Sequence, residues 1–159
     1  MSKTVNDNNR QGFFWHVHHE ILIEWCHNYN ERAEYIRTRK SSNEQETRLR
    51  LFQPVKGKLP EEVVEAGRAC GEARQAHNKA NRAYDEAYRV YNKTWLFRGK
   101  ARRAYDKAYR VYDEAERVYY KAEQACNKAL IKNKSKIEAL HAEEYPNCPW
   151  DGHTIFPNA

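Results

Sequence analysis

The chain lacks a long apolar run. Nothing in its 159 residues approaches the roughly 18 consecutive apolar residues a membrane span needs, so no membrane partner is expected. It has four cysteines, Cys26, Cys70, Cys126 and Cys148, but no CxxC pair. The start, MSKTVNDNNRQG, is polar and has no apolar core of the kind a secretory leader carries. Reduced thiols and a cytoplasmic setting are therefore expected. Also missing are a Gly-rich phosphate loop and an HExxH pair. Without these signatures the chain reads as non-enzymatic, and no catalytic residue is assigned.

What the chain does have is alanine, tyrosine and charge. Charged residues make up 31%, as in long exposed helices, and the 40% hydrophobic residues include many Ala and Tyr. That composition predicts one domain, or one domain with an extended helical element, around a thin core. The formal charge of +6 favours polyanions or acidic protein surfaces as partners.

Three regions follow from the pattern. Residues 1–59 form an N-terminal α+β base. After a polar lead-in comes FFWHVHHEILIEW (residues 13–25), rich in aromatic and β-branched residues, as strands are. Period two would put Trp15, Val17, His19, Ile21 and Ile23 on one face and Phe14, His16, His18, Glu20 and Leu22 on the other. Short helices are expected over NERAEYIRTR and over NEQETRLRLFQ, where Asn43 and Glu46 have capping-box spacing. PVKGKLP reads as a linker. Residues 60–141 are helical in pattern, with Pro60, Glu61 and Glu62 suited to a first turn. Residues 142–159 form a tail in which HTIF reads as a short strand returning to the base.

Within the helical region RAYDEAYRVYNK (residues 82–93) recurs as RAYDKAYRVYDE (residues 103–114), 21 residues on. One stripe explains the interval. Residues Ala66, Ala69, Ala73, Ala76, Ala80, Ala83, Ala87, Val90, Thr94, Phe97, Ala101, Ala104, Ala108, Val111, Ala115, Val118, Ala122, Ala125 and Ala129 alternate steps of three and four, an unbroken heptad register. The expected architecture is an antiparallel coiled-coil hairpin turning near Gly99. Its seam would pair Ala80 with Val118, Ala83 with Ala115, Ala87 with Val111 and Val90 with Ala108. The alternative is one helix of about 120 Å that dimerises through the same stripe.

Two flanks accompany that stripe. One position after it lie His77 and the aromatic residues Tyr84, Tyr88, Tyr91, Trp95, Tyr105, Tyr109, Tyr112 and Tyr119, with Cys70 and Cys126. In a hairpin these merge into one aromatic face, which is either internal packing or a partner-docking surface. One position before it lie Arg82, Arg89, Lys93, Lys100, Arg103, Lys107, Arg110 and Arg117 in a basic ridge suited to a polyanion. The plainer reading of that ridge is a solvated face with Asp85–Arg89, Asp106–Arg110 and Asp113–Arg117 as i,i+4 pairs.

Histidine and cysteine also collect near the two ends. Zinc takes N and S ligands tetrahedrally, and His16, His18, Cys148 and His153 make a candidate set, with Cys26, His27 and His141 in the same pool. The competing reading is that these histidines hydrogen-bond across a small sheet and Cys148 is simply buried. A metal-dependent hydrolase would use His16 and His18 as ligands and Glu20 as base.

Three segments together, FWHVHHEILIEW, ETRLRLFQPVKGKLP and CPWDGHTIF, resemble a group of small, functionally unassigned proteins from phages, prophages and gut bacteria. The resemblance covers the first 60 residues and the last 15, and it carries no known chemistry. It implies a compact base formed by both ends, with the helical hairpin projecting from it, and an accessory role in a host cell.

The resulting expectation is a mainly α fold with a small α+β base and a long Ala/Tyr-rich antiparallel hairpin, as a monomer or homodimer. Its expected role is binding a host protein or nucleoprotein through the tyrosine face and basic ridge. An inhibitor of a host defence effector of the CRISPR type is the most concrete form. The alternatives are a direct nucleic-acid-binding protein and a zinc-binding domain.

Overall fold

The computed structural model describes residues 11–94 and 98–157. In chain order its elements are β1 (Gly12–Trp15), β2 (Ile23–Cys26), α1 (Tyr29–Arg39), α2 (Ser42–Leu51), α3 (Glu61–Lys93), α4 (Arg98–Lys132) and α5 (Lys134–Glu144). The mainly α class and the antiparallel helical hairpin stand as expected. The chain forms two compact units, Met1–Arg68 with Ala129–Ala159 and, between them in sequence, Ala69–Lys128.

In the first unit, the segment read as one strand is a hairpin. β1 and β2 pair antiparallel with Phe13 opposite Trp25 and Trp15 opposite Ile23. The chain reverses because His16 takes a left-handed conformation, φ 50°, and the His16 amide donates to the Leu22 carbonyl at 3.0 Å. Arg32 on α1 fixes this loop by donating twice to the Val17 carbonyl, at 3.0 and 2.7 Å. The two period-two faces therefore do not run on through residues 13–25, and within β1 both faces are covered: Phe13, Phe14 and Trp15 are all buried in succession.

PVKGKLP is more than a linker. Its start lines the other edge of β1, with Trp15 N donating to Gln53 O at 2.9 Å and Val55 N to Phe13 O at 3.1 Å. Pro54 sits where no ladder donor is asked of it, which is how an edge accepts proline.

One side of β1 faces a core of Phe14, Val17, Cys26, Ala33, Ile36 and Phe52. On the other side Phe13 closes against α3 at Gly67. A Cβ there would lie 2.3 Å from the Phe13 ring, so only glycine lets helix and sheet approach this closely.

The caps differ in detail from the sequence reading. Asn28 caps α1, accepting from Glu31 N at 3.2 Å. The N-cap of α2 is Ser41, two residues before the expected Asn43, so the capping box does not form there. HTIF forms no strand: one bond from Ile155 N to His19 O, 3.1 Å, ties it to the β1–β2 loop, and Ile155 is buried.

In the second unit α3 and α4 pack as the hairpin, but on a seam rotated from the expected one. Val90, Val111 and Val118 are 45%, 54% and 48% exposed, and Ala69, Ala76, Ala83, Ala104 and Ala125 are exposed with them. Among the described residues, every second member of the expected stripe thus faces outward. The other members are half-buried or, as with Ala73, Ala80, Ala101 and Ala129, buried. Alternating with them in the true seam are Cys70, His77, Tyr84, Tyr91, Tyr105, Tyr112, Tyr119 and Cys126. The heptad period was right and its phase was not, because tyrosine is amphipathic and alanine buries little area per layer. The Ala–Val layers expected from the sequence are replaced by ring-on-ring layers.

Those rings interleave from the two helices. Tyr91 meets Tyr105 at 5.6 Å, Tyr105 meets Tyr84 at 5.5 Å, and Tyr84 meets Tyr112 at 5.5 Å between centroids. His77 continues the ladder, 5.3 Å from Tyr112 and 5.5 Å from Tyr119. Below it the Cys70 and Cys126 thiols hydrogen-bond. α3 ends at Lys93 and α4 begins at Arg98, so the break between the helices falls near Gly99 as expected; Gly99 itself lies in the first turn of α4 and takes no positive φ. Trp95 and Phe97 lie outside the described residues.

Candidate functional site

Helical register sorts the hairpin's surface into two faces and two edges. The exposed Ala/Val positions of both helices come to one face, since corresponding flanks of antiparallel helices point the same way. Lys93, Lys100 and Lys107 border that face, together with Lys79 and Lys121; Glu72, Glu86 and Glu114 share their register position, and all are exposed. Arg82 and Arg89 stand opposite the seam on α3, and Arg103, Arg110 and Arg117 opposite the seam on α4. The basic ridge expected from the sequence is therefore split. Its lysines rim one face, and its arginines run along the two outer edges. Asp85, Asp106, Asp113, Glu116 and Glu123 belong to the opposite face, so charge is polarised across the hairpin.

Of the three i,i+4 pairs expected, Asp113–Arg117 forms. Arg89 pairs with Glu86 instead, and Asp106 approaches Arg102 at 4.0 Å. Among the described residues Arg82, Arg103 and Arg110 pair with no carboxylate. Their charge is available to a partner.

The tyrosine face is internal packing first. Tyr84, Tyr91, Tyr105 and Tyr112 are half-buried in the ladder. Their hydroxyls are also engaged: Tyr84 with Tyr105 at 3.2 Å, Tyr112 donating to Glu116 at 2.7 Å, and Tyr119 donating to Glu123 at 2.8 Å. Tyr88 and Tyr109 remain half-exposed on the acidic side. The docking reading of this stripe is thus revised, because rings stacked on one another and hydroxyls already bonded leave little for a partner.

A second cluster lies in the first unit. His16 and His141 bring their Nε2 atoms to 3.1 Å, and Cys148 Sγ lies 3.4 Å from His16 Nε2. All three ligand-capable atoms fall within 4.8 Å of one another. His16 and His141 are buried and Cys148 is half-buried. Burial, and then the neighbouring His141, push the His16 ring down to about 4, and burial also lowers His141. Both rings are therefore neutral at pH 7. Burial raises the Cys148 thiol.

The structure assembles this cluster differently from the set drawn from the sequence. His16 and Cys148 are in it. His18 is out in solvent, 2.6 Å from Glu24, and His153 is exposed, with only its backbone amide bonded to Asp151. His141 takes their place. It comes from α5, the last turn of which carries Glu144, and Glu144 accepts from Trp15 Nε1 at 2.8 Å and from the Lys56 amide at 3.0 Å. That clamp ties α5 to β1 and so holds His141 against His16. A lone His on a helix gives no spacing signal, so sequence alone places His141 in the wider pool and not in the candidate set. Glu20 is exposed and 3.7 Å from His19, away from the cluster, so the hydrolase arrangement of His16, His18 and Glu20 does not assemble.

Beside the cluster, Trp150 stacks over His16 at 5.2 Å and also lines an apolar cleft with Ile21, Ile23, Leu130, Ile131 and Ile137. No described helix is long and apolar enough to cross a membrane. In comparisons with known proteins, the chain matches no protein-family model, no curated protein and no solved structure.

Proposed function

We propose that this is a binding protein whose hairpin docks an acidic protein surface through its Ala/Val face. The observation that carries the reading is the exposure of Val90, Val111 and Val118 on one face, whose border carries more lysine than glutamate. A helical face that is apolar at heptad spacing accepts another helix by side-chain interdigitation. Its cationic rim selects a partner with carboxylates at the flanks and steers the encounter.

The same surface favours protein over naked nucleic acid. Single-strand binders stack bases on free aromatic rings, and here most rings are spent on each other. A duplex binder needs cations along a backbone track but gains nothing from exposed valines. An inhibitor of a host defence effector is one partner class compatible with this surface. It rests on the resemblance of the terminal segments alone.

The test is affinity capture from cell lysate with the tagged chain, with and without nuclease, comparing wild type with Val111→Asp and with Lys100→Glu/Lys107→Glu. The reading expects a protein that survives nuclease and is lost with either variant. Capture that nuclease abolishes, or that neither variant weakens, rejects it.

A further inference from the structure

We propose that His16, His141 and Cys148 form a three-ligand site for a single zinc ion, independent of the hairpin's binding role. The three residues come from separate parts of the chain: the loop after β1, the helix α5 and the C-terminal segment. Only the fold brings them together, and it does so with the ligand-capable atoms facing inward.

Two of the three spacings match the chemistry. Tetrahedral zinc with Zn–N near 2.05 Å and Zn–S near 2.3 Å sets N···N edges of about 3.3 Å and N···S edges of about 3.6 Å. The structure has 3.1 Å between the two Nε2 atoms and 3.4 Å from His16 Nε2 to Cys148 Sγ. The third pair, His141 Nε2 and Cys148 Sγ, lies within 4.8 Å, so small side-chain shifts would admit the ion.

Hydrogen bonding alone accounts for the cluster poorly. His16 Nε2 has one lone pair, yet both His141 Nε2 and Cys148 Sγ lie within donor distance of it. If Nε2 accepts, it can take only one of these two donors, and the ring proton sits on Nδ1 beside the Ile21 backbone, the tautomer that zinc on Nε2 also requires. If Nε2 donates instead, Nδ1 is a buried, unused acceptor and Cys148 gains nothing from the contact. A cation uses the inward lone pairs of all three residues at once. His16 also holds a left-handed backbone, φ 50°, which is uncommon for a non-glycine residue and is found where a side chain must be aimed.

The donor set selects the ion. Two imidazoles and a thiolate are borderline-soft, which suits zinc and disfavours magnesium and calcium, both of which prefer oxygen. Binding converts the Cys148 thiol to a zinc thiolate and releases its proton to solvent. Three protein ligands leave the fourth position for water or an exogenous donor. Around the ligands, Trp15 packs on His141 at 5.0 Å and Trp150 on His16 at 5.2 Å, which limits side-chain disorder.

The test uses the full chain, stripped of metal by chelator. Zinc is titrated in competition with a chromophoric chelator, and cobalt(II) is added separately as a spectroscopic probe. The expected result is one equivalent of zinc, and a thiolate-to-cobalt charge-transfer band of tetrahedral type. Cys148→Ser and His141→Ala should weaken zinc binding by at least about 100-fold, more than loss of an outer-shell partner does. His18→Ala and His153→Ala should leave it unchanged. A folded wild-type chain with no thiolate–cobalt band overturns the proposal, and so does zinc affinity unchanged by Cys148→Ser. If the ligand variants fail to fold, the wild-type cobalt spectrum decides on its own.

Discussion

Replacing Tyr84 by alanine tests where the hairpin seam lies. Tyr84 sits at the middle of the ladder and touches four rings: Tyr105 and Tyr112 at 5.5 Å, Tyr109 at 6.0 Å and Tyr88 at 6.4 Å. Truncating a fully buried large aromatic costs about 3–5 kcal/mol, and Tyr84 is half-buried, so a loss of about 2 kcal/mol is expected. Val111→Ala removes less from a side chain that is 54% exposed and should cost under about 0.5 kcal/mol. If the seam ran where the unshifted heptad puts it, Val111 would be the core residue and the order would reverse. Urea unfolding followed by far-ultraviolet circular dichroism gives both values. Tyr84→Phe, which keeps the ring and loses only the hydroxyl contact to Tyr105, should fall between them. A Val111→Ala loss equal to or larger than that of Tyr84→Ala would refute the tyrosine seam.

Other consequences follow from single contacts. In chelator-treated protein, stability should be full above pH 6.5 and fall as the pH drops toward 4. The reason is that the unfolded chain protonates His16 in that window while the fold keeps the ring neutral. The loss is roughly 3 kcal/mol, and His16→Asn, which tolerates the left-handed backbone, should flatten the slope; an equal slope in both proteins counts against the burial of a neutral ring. Gly67→Ala, a change that usually stabilises a helix by about 1 kcal/mol, should destabilise here because its Cβ meets Phe13; a higher melting temperature would show that α3 and β1 are less closely packed. Glu144→Ala leaves the Trp15 indole N–H and the Lys56 and Gly57 amides without their acceptor. It should cost about 2 kcal/mol, and Glu144→Gln less, in thermal unfolding. A silent Glu144→Ala would mean that these donors are met by water.

Period was legible in the sequence and phase was not. The alternation of three- and four-residue steps from Ala66 to Ala129 locates two long antiparallel helices correctly. It could not say which neighbouring stripe faces inward, because alanine and tyrosine are both tolerated on either side of a helix boundary. Choosing the most continuous apolar stripe favoured Val90 and Val111 over Tyr84 and Tyr105, though the larger rings offer more contact. The β1–β2 reversal was hidden for a related reason. His16-Val17-His18-His19 contains no glycine, proline or asparagine, and the turn depends on a histidine in a conformation few side chains adopt. His141 could be named only within a wider pool of candidate ligands, because its place depends on α5 docking through Glu144, a tertiary contact across 129 positions to Trp15. His16 and Cys148, by contrast, were identifiable as candidates from residue type alone.

The most direct measurement of the docking claim is site-specific photo-crosslinking. A benzophenone side chain is placed at Val111, on the Ala/Val face, or at Tyr109, on the opposite face, and each protein is irradiated in nuclease-treated lysate. The account predicts a discrete protein adduct from position 111 and none from position 109. Adducts of equal yield from both positions, or from position 109 alone, would contradict it.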